Sequence, residues 1–147
     1  MLFLEGGYYY LYCMKKLLPV LVIICITQSC NKVGKELKER IIDTDSIAIN
    51  YFKGDGSMDT VIAVKLVRDK TTVNQLVNFA SAGSNAKTNN CGYDGSLHFF
   101  KKNRVIQDVD FRMANDNCNQ FTYQVKGKFY ASPVNEEAKK LLLQLKK

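Results

Sequence analysis

Histidine is nearly missing from this chain: His98 is the single one among 147 residues. Outside the N-terminal region there is also no second cysteine pair, so a zinc site lacks ligands. No apolar run is long enough to cross a bilayer, which takes roughly 20 residues; the stretch Leu17–Ile26 is about ten and is interrupted by Pro19. The nucleophile elbow GxSxG, HExxH, GxGxxG and Walker-type loops are all absent. Lysine and arginine outnumber aspartate and glutamate by 21 to 14, a net charge of +7, but the positive charges are spread along the chain. No dense stripe for a nucleic acid exists, and a solvated basic surface accounts for the excess. No internal repeat is evident.

What is present is most informative between Met14 and Cys30, MKKLLPVLVIICITQSC. Lys15-Lys16 precede the apolar run, and Thr27-Gln28-Ser29 lead to Cys30. This order has the layout of an export signal. Its exit resembles the lipobox cut by lipoprotein signal peptidase, with Gln28 standing where a small residue is more usual. The resemblance implies that Cys30 becomes the acylated first residue. Residues 1–13 precede the charged region that normally opens such a signal, which points to a start codon placed too early. The expected organisation is therefore a leader over 1–29, a polar tether over 30–44 and a single domain over 45–147.

That reading makes the cysteine count decisive. Of Cys13, Cys25, Cys30, Cys91 and Cys118, two leave with the leader and one carries lipid. Cys91 and Cys118 remain, and an oxidising envelope compartment should pair them. Closing a loop of about 28 residues would contribute roughly 3–4 kcal/mol.

Periodicity then orders the domain. Asn31–Arg40 is polar, with no evident apolar face. Ser46–Phe52 alternates and Asp59–Val67 is rich in β-branched residues, two strands joined around Gly54-Asp55-Gly56. Asp69 can cap a helix over roughly 70–81, whose Val73, Leu76, Val77 and Ala80 form one stripe. Four more strands follow, around Ser96–Lys101, Val105–Met113, Gln120–Val125 and Lys128–Ala131, with reversals at Lys102-Asn103 and Lys126-Gly127. Ser132 and Pro133 can open a closing helix. The expected class is α+β: an antiparallel sheet of about five to six strands with two helices, in the order β-β-α-β-β-β-β-α. That order is similar to TATA-binding-protein-like folds, an analogy of element order that carries no function.

Chemistry is thinly signposted. His98 lies in a strand between other strand residues. Asp108 and Asp110 share a strand face, where paired carboxylates suit acid–base work or a cation and are more often simply solvated. Asp55-x-Ser57-x-Asp59 has the start of a calcium loop but Leu66 where its bidentate acid belongs. Asn115-Asp116-Asn117-x-Asn119 is oxygen-rich with one carboxylate, and turn formation explains it. Aromatic residues are the least ordinary feature of the second half. Alternation would set Phe100 and Tyr130 on the face opposite Phe99 and Phe129, bordered by Lys101, Lys102, Arg104, Lys126 and Lys128. Left open, that patch suits a protein or glycan partner; covered, its rings are core.

From Cys91 onward, CGYDGSLHFFKKNRVIQDVDFRMANDNC resembles a pattern of small uncharacterised lipoproteins of Bacteroidota-type bacteria. The resemblance implies no activity. It implies an envelope protein on the periplasmic face of the outer membrane, since Asn31-Lys32-Val33-Gly34-Lys35 lacks the acidic stretch of surface-displayed relatives. The expectation is a lipid-anchored, non-enzymatic binding or assembly module that needs no cofactor and no nucleic acid. The alternative is a proteinaceous inhibitor of an envelope-directed hydrolase.

Overall fold

The computed structural model describes residues 32–83, 91–113 and 118–147. Cys30, the expected leader over 1–29 and residues 115–117 of the oxygen-rich turn lie outside them. The strands are β1 (Ser46–Gly56), β2 (Val61–Val67), β3 (Tyr93–Lys101), β4 (Arg104–Arg112), β5 (Gln120–Val125) and β6 (Lys128–Pro133). They form one antiparallel sheet in the order β2-β1-β3-β4-β5-β6. The helices are α1 (Lys32–Ile41), α2 (Lys70–Ala80) and α3 (Glu136–Lys146). The α+β class and the antiparallel sheet follow the sequence expectation. The order gains a helix at its front: α-β-β-α-β-β-β-β-α.

Strand alternation gives the sheet two unlike faces. Ile47, Ile49, Tyr51, Leu97, Phe99, Val109, Phe111, Phe121, Tyr123 and Val125 point to one side and are buried. All three helices pack there, contributing Leu37, Ile41, Val73, Leu76, Val77, Ala80, Ala138 and Leu142 to the same cluster. Each fully buried Phe or Leu is worth about 1.5–3 kcal/mol relative to exposure. The Tyr51 hydroxyl donates to the Leu142 carbonyl at 2.7 Å, so a phenol in the core stitches β1 to α3. Burial pushes its pKa up to about 12.

α1 corrects the expected tether. Val33, Leu37 and Ile41 recur every four residues and form a stripe one side chain wide, and Leu37 and Ile41 are completely buried. A stripe that narrow is hidden among six charged residues of the same helix, and packing rather than helix propensity fixes it. Glu36 on α1 also meets Lys126 at 2.8 Å.

Local signals otherwise act as the sequence suggests. Asp69 accepts from the Thr72 backbone at 2.8 Å and caps α2. Lys102 and Asn103 (φ 50° and 61°) and Lys126 and Gly127 (φ 51° and 76°) make two-residue hairpin turns, the type whose twist matches paired strands. Two boundaries differ. β1 runs on through Gly54-Asp55-Gly56, and the reversal falls at 57–60, where Asp55 accepts from Ser57. The closing helix is capped by Asn135, which accepts from Ala138 N at 2.8 Å. Ser132 and Pro133 belong to β6 instead, because Ser132 is needed opposite Phe121 and donates to the Ala80 carbonyl at 2.7 Å. Cys91 and Cys118 are disulfide-bonded, with Cα atoms 5.7 Å apart, tying the entry of β3 to that of β5.

Candidate binding face

The side of the sheet away from the helices has none of the described helices on it. Its residues fall into rows set by register. One row crosses all six strands: Val64, Asn50, Ser96, Asp110, Thr122 and Ala131. A second holds Leu66, Ala48, His98 and Asp108. The face is thus aliphatic at β2 and polar across its middle.

The polar middle is a connected network. His98 Nδ1 lies 2.7 Å from Asp108 Oδ1. His98 Nε2 lies 3.0 Å from both Asn50 Nδ2 and Ser96 Oγ. With Nδ1–H donating to the carboxylate, Nε2 is an acceptor for the amide and the hydroxyl. Ser96, His98 and Asp108 thereby stand in the order used to activate a serine nucleophile. The exposure argues for a different role. Ser96 is only 4% exposed, and Asn50 competes for the same imidazole nitrogen, so the hydroxyl is not presented to a substrate. The network holds the imidazole in one orientation on an open surface.

Asp110 stands beside this network. Burial, and then the negative charge of Asp108, push its carboxyl up to about 6, with His98 acting the other way. One row further, Asp94 and Arg112 form a largely buried ion pair at 2.9 Å, and Asp94 also accepts from Met113 N at 2.7 Å. Asp108 thus pairs with His98, while Arg112 of β4 turns to Asp94 of β3. Among the described residues, no group of three or more His, Cys, Asp or Glu side chains could hold a metal ion.

A cleft opens where β4 and β5 part. Their ladder runs from Arg112–Gln120 to Val109–Tyr123 and stops. Beyond it the Gln107 side chain donates to the carbonyls of Asp108 and Gln124 at 2.8 and 3.4 Å, and Arg40 of α1 donates to its Oε1 at 3.2 Å. The resulting hollow has a volume of about 360 Å³, and Val105, Asp108, Asp110, Thr122, Gln124 and Phe129 are among its walls. Phe129 is 61% exposed and Val105 is 49% exposed.

The sequence-based patch is partly assembled here. Phe100 is half-buried on the open side, opposite Val105. Lys101, Lys102 and Arg104 sit at the β3–β4 turn, and Lys126 and Lys128 at the β5–β6 turn. In a meander these two turns share one end of the sheet, the end where the cleft opens. Lys101 is paired with Asp43 at 2.8 Å. Tyr130 has to be corrected. It lies opposite Tyr123, stacks on it at 6.2 Å between ring centroids, and packs against the core on the helix side. The two-residue turn pairs Val125 with Lys128, which carries Phe129 to the open side in its place.

Sequence reading missed the His98–Asp108 contact, although a signal for it exists. A two-residue turn at Lys102-Asn103 would set His98 opposite Gln107. That register would force the alternating apolar sets of β3 and β4 onto opposite faces. A bulge between Phe99 and Phe100 in the pairing restores agreement, and it places His98 opposite Asp108.

No protein-family model matches the chain, and neither a curated protein nor a solved structure matches it.

Proposed function

We propose that the protein is a lipid-anchored envelope protein with a non-enzymatic role, attached through Cys30 to the periplasmic face of the outer membrane. Its domain binds a protein partner on the open face of the sheet. One observation carries this reading: a hollow walled by exposed Phe129 and Val105 opens on that face. An exposed aromatic beside a concavity is a natural anchor point. The leader and the cysteine at its exit support the anchor, as does the disulfide, which fits an oxidising compartment.

Two measurements test this. Intact-mass analysis of membrane-extracted protein should give a chain that begins at an acylated Cys30, and Cys30→Ala should release it from the membrane. A photo-crosslinking residue at Phe129 should capture one stoichiometric protein in the intact envelope, while the same probe at Gln144, on a helix, should not. Equal capture at both positions would overturn the binding face. If the captured protein is a hydrolase and its activity falls on binding, the domain is its inhibitor.

A further inference from the structure

The two edges of the sheet are built differently. β6 is blunted: it opens with Lys128, ends in Pro133, which has no N–H, and has Ala131 and Ser132 buried. Among the described residues β2 has only β1 as a neighbour, so half of its backbone groups have no described strand to pair with. Yet Val61, Ile62, Val64 and Leu66 are 47–62% exposed. A seven-residue, extended, aliphatic edge is a ready template for another strand.

We propose that β2 is the seam of a symmetric homodimer, in which it pairs antiparallel with β2 of a second copy about Val64. The sequence VIAVKLV is self-complementary at that register. Val64 meets Val64 and Leu66 faces Ile62 on the open side; Ile62 is the extra residue of a bulge against β1, and Val61 turns to the side of its partner Phe52. Lys65 meets Ala63, so the one charge within the strand is never opposed by its like. A register centred on Lys65 would set two ammonium groups face to face. One centred on Ala63 would put Val67 against Asp59 and Leu66 against Thr60. Lys65 therefore selects the register where a uniformly apolar edge would slip, and a two-fold axis needs no other partner to close the assembly.

Cysteine scanning of the full-length chain in intact envelopes, with a short bis-maleimide and the wild-type chain as background, tests the register. Val64→Cys should give a cross-linked dimer, because the two positions face one another across the axis. Ile62→Cys alone and Leu66→Cys alone should not, since each is then about 13 Å from its own copy. The two variants co-expressed should cross-link to each other. Val64→Asp should abolish dimers in light scattering of detergent-extracted protein while the Cys91–Cys118 disulfide still forms. A monomeric Val64→Cys, or equal self-linking at all three positions, would overturn the proposal.

Discussion

Gly95 lies beneath the ring of Phe111. The two are cross-strand partners in β3 and β4, and a Cβ at position 95 would collide with the Phe111 ring and the Asn50 carbonyl. Phe111 is completely buried, and its ring meets Tyr51 edge-on at 5.9 Å. Gly95→Ala should therefore cost about 2–3 kcal/mol by overpacking. For a domain of this size that is a fall in Tm of roughly 10 °C or more, which thermal unfolding followed by circular dichroism will read. A variant as stable as the parent would mean that the ring can move aside freely.

Asp110 gives the domain a pH dependence of definite sign. Its folded pKa of about 6 lies above the ordinary carboxyl value. Its contribution to stability is therefore complete below about pH 4 and is lost as pH rises through about 6. Asp110→Asn keeps the shape without the charge. It should exceed the parent in stability by about 1–2 kcal/mol near pH 7 and match it near pH 4. Urea unfolding at the two pH values checks this; an equal difference at both would refute it.

The disulfide should be a major support for so small a core. Replacing Cys91 and Cys118 together by serine should lower stability by about 3 kcal/mol through the freed loop. The comparison is the urea midpoint of the variant against that of the oxidised and the reduced parent. The reduced parent should resemble the variant.

α1 is tested by its central anchor. Leu37→Ala removes a completely buried side chain and should cost about 2–4 kcal/mol. Lys38→Ala, one position along on the exposed side, should change stability by less than about 0.5 kcal/mol. Similar small effects from both would return this segment to the status of a linker.

The strands around the meander were legible because one of their faces is buried and the other is wet, so alternation carried the information. Leu97 and Phe99, Val109 and Phe111, and Phe121 and Tyr123 all point inward as their spacing suggests. The Asp69 cap and both two-residue turns were legible from local chemistry. α1 was not, because three apolar residues four apart leave seven positions that look like linker. The closing helix was placed too early because Ser132 and Pro133 offer a helix start, while pairing across the sheet uses them as strand. The basic residues expected to border the candidate face follow register instead: Lys126 pairs with Glu36 of α1, and Lys128 lies opposite buried Val125. Of the face's two expected aromatic residues, alternation places Phe100 correctly but not Tyr130, because the β5–β6 register decides between Phe129 and Tyr130. The imidazole network depends on a bulge that alternation and turn length reveal only when the two are compared.

A free leash over residues 30–44 could let the domain roam roughly 50 Å from its anchor. The clamp of Leu37 and Ile41 on the sheet removes most of that reach. With Cys30 acylated, as proposed, Asn31 alone stands between the lipid and the first helical residue. The domain would then ride on the bilayer surface and search for its partners in two dimensions, and those partners would have to come to the headgroups to meet it.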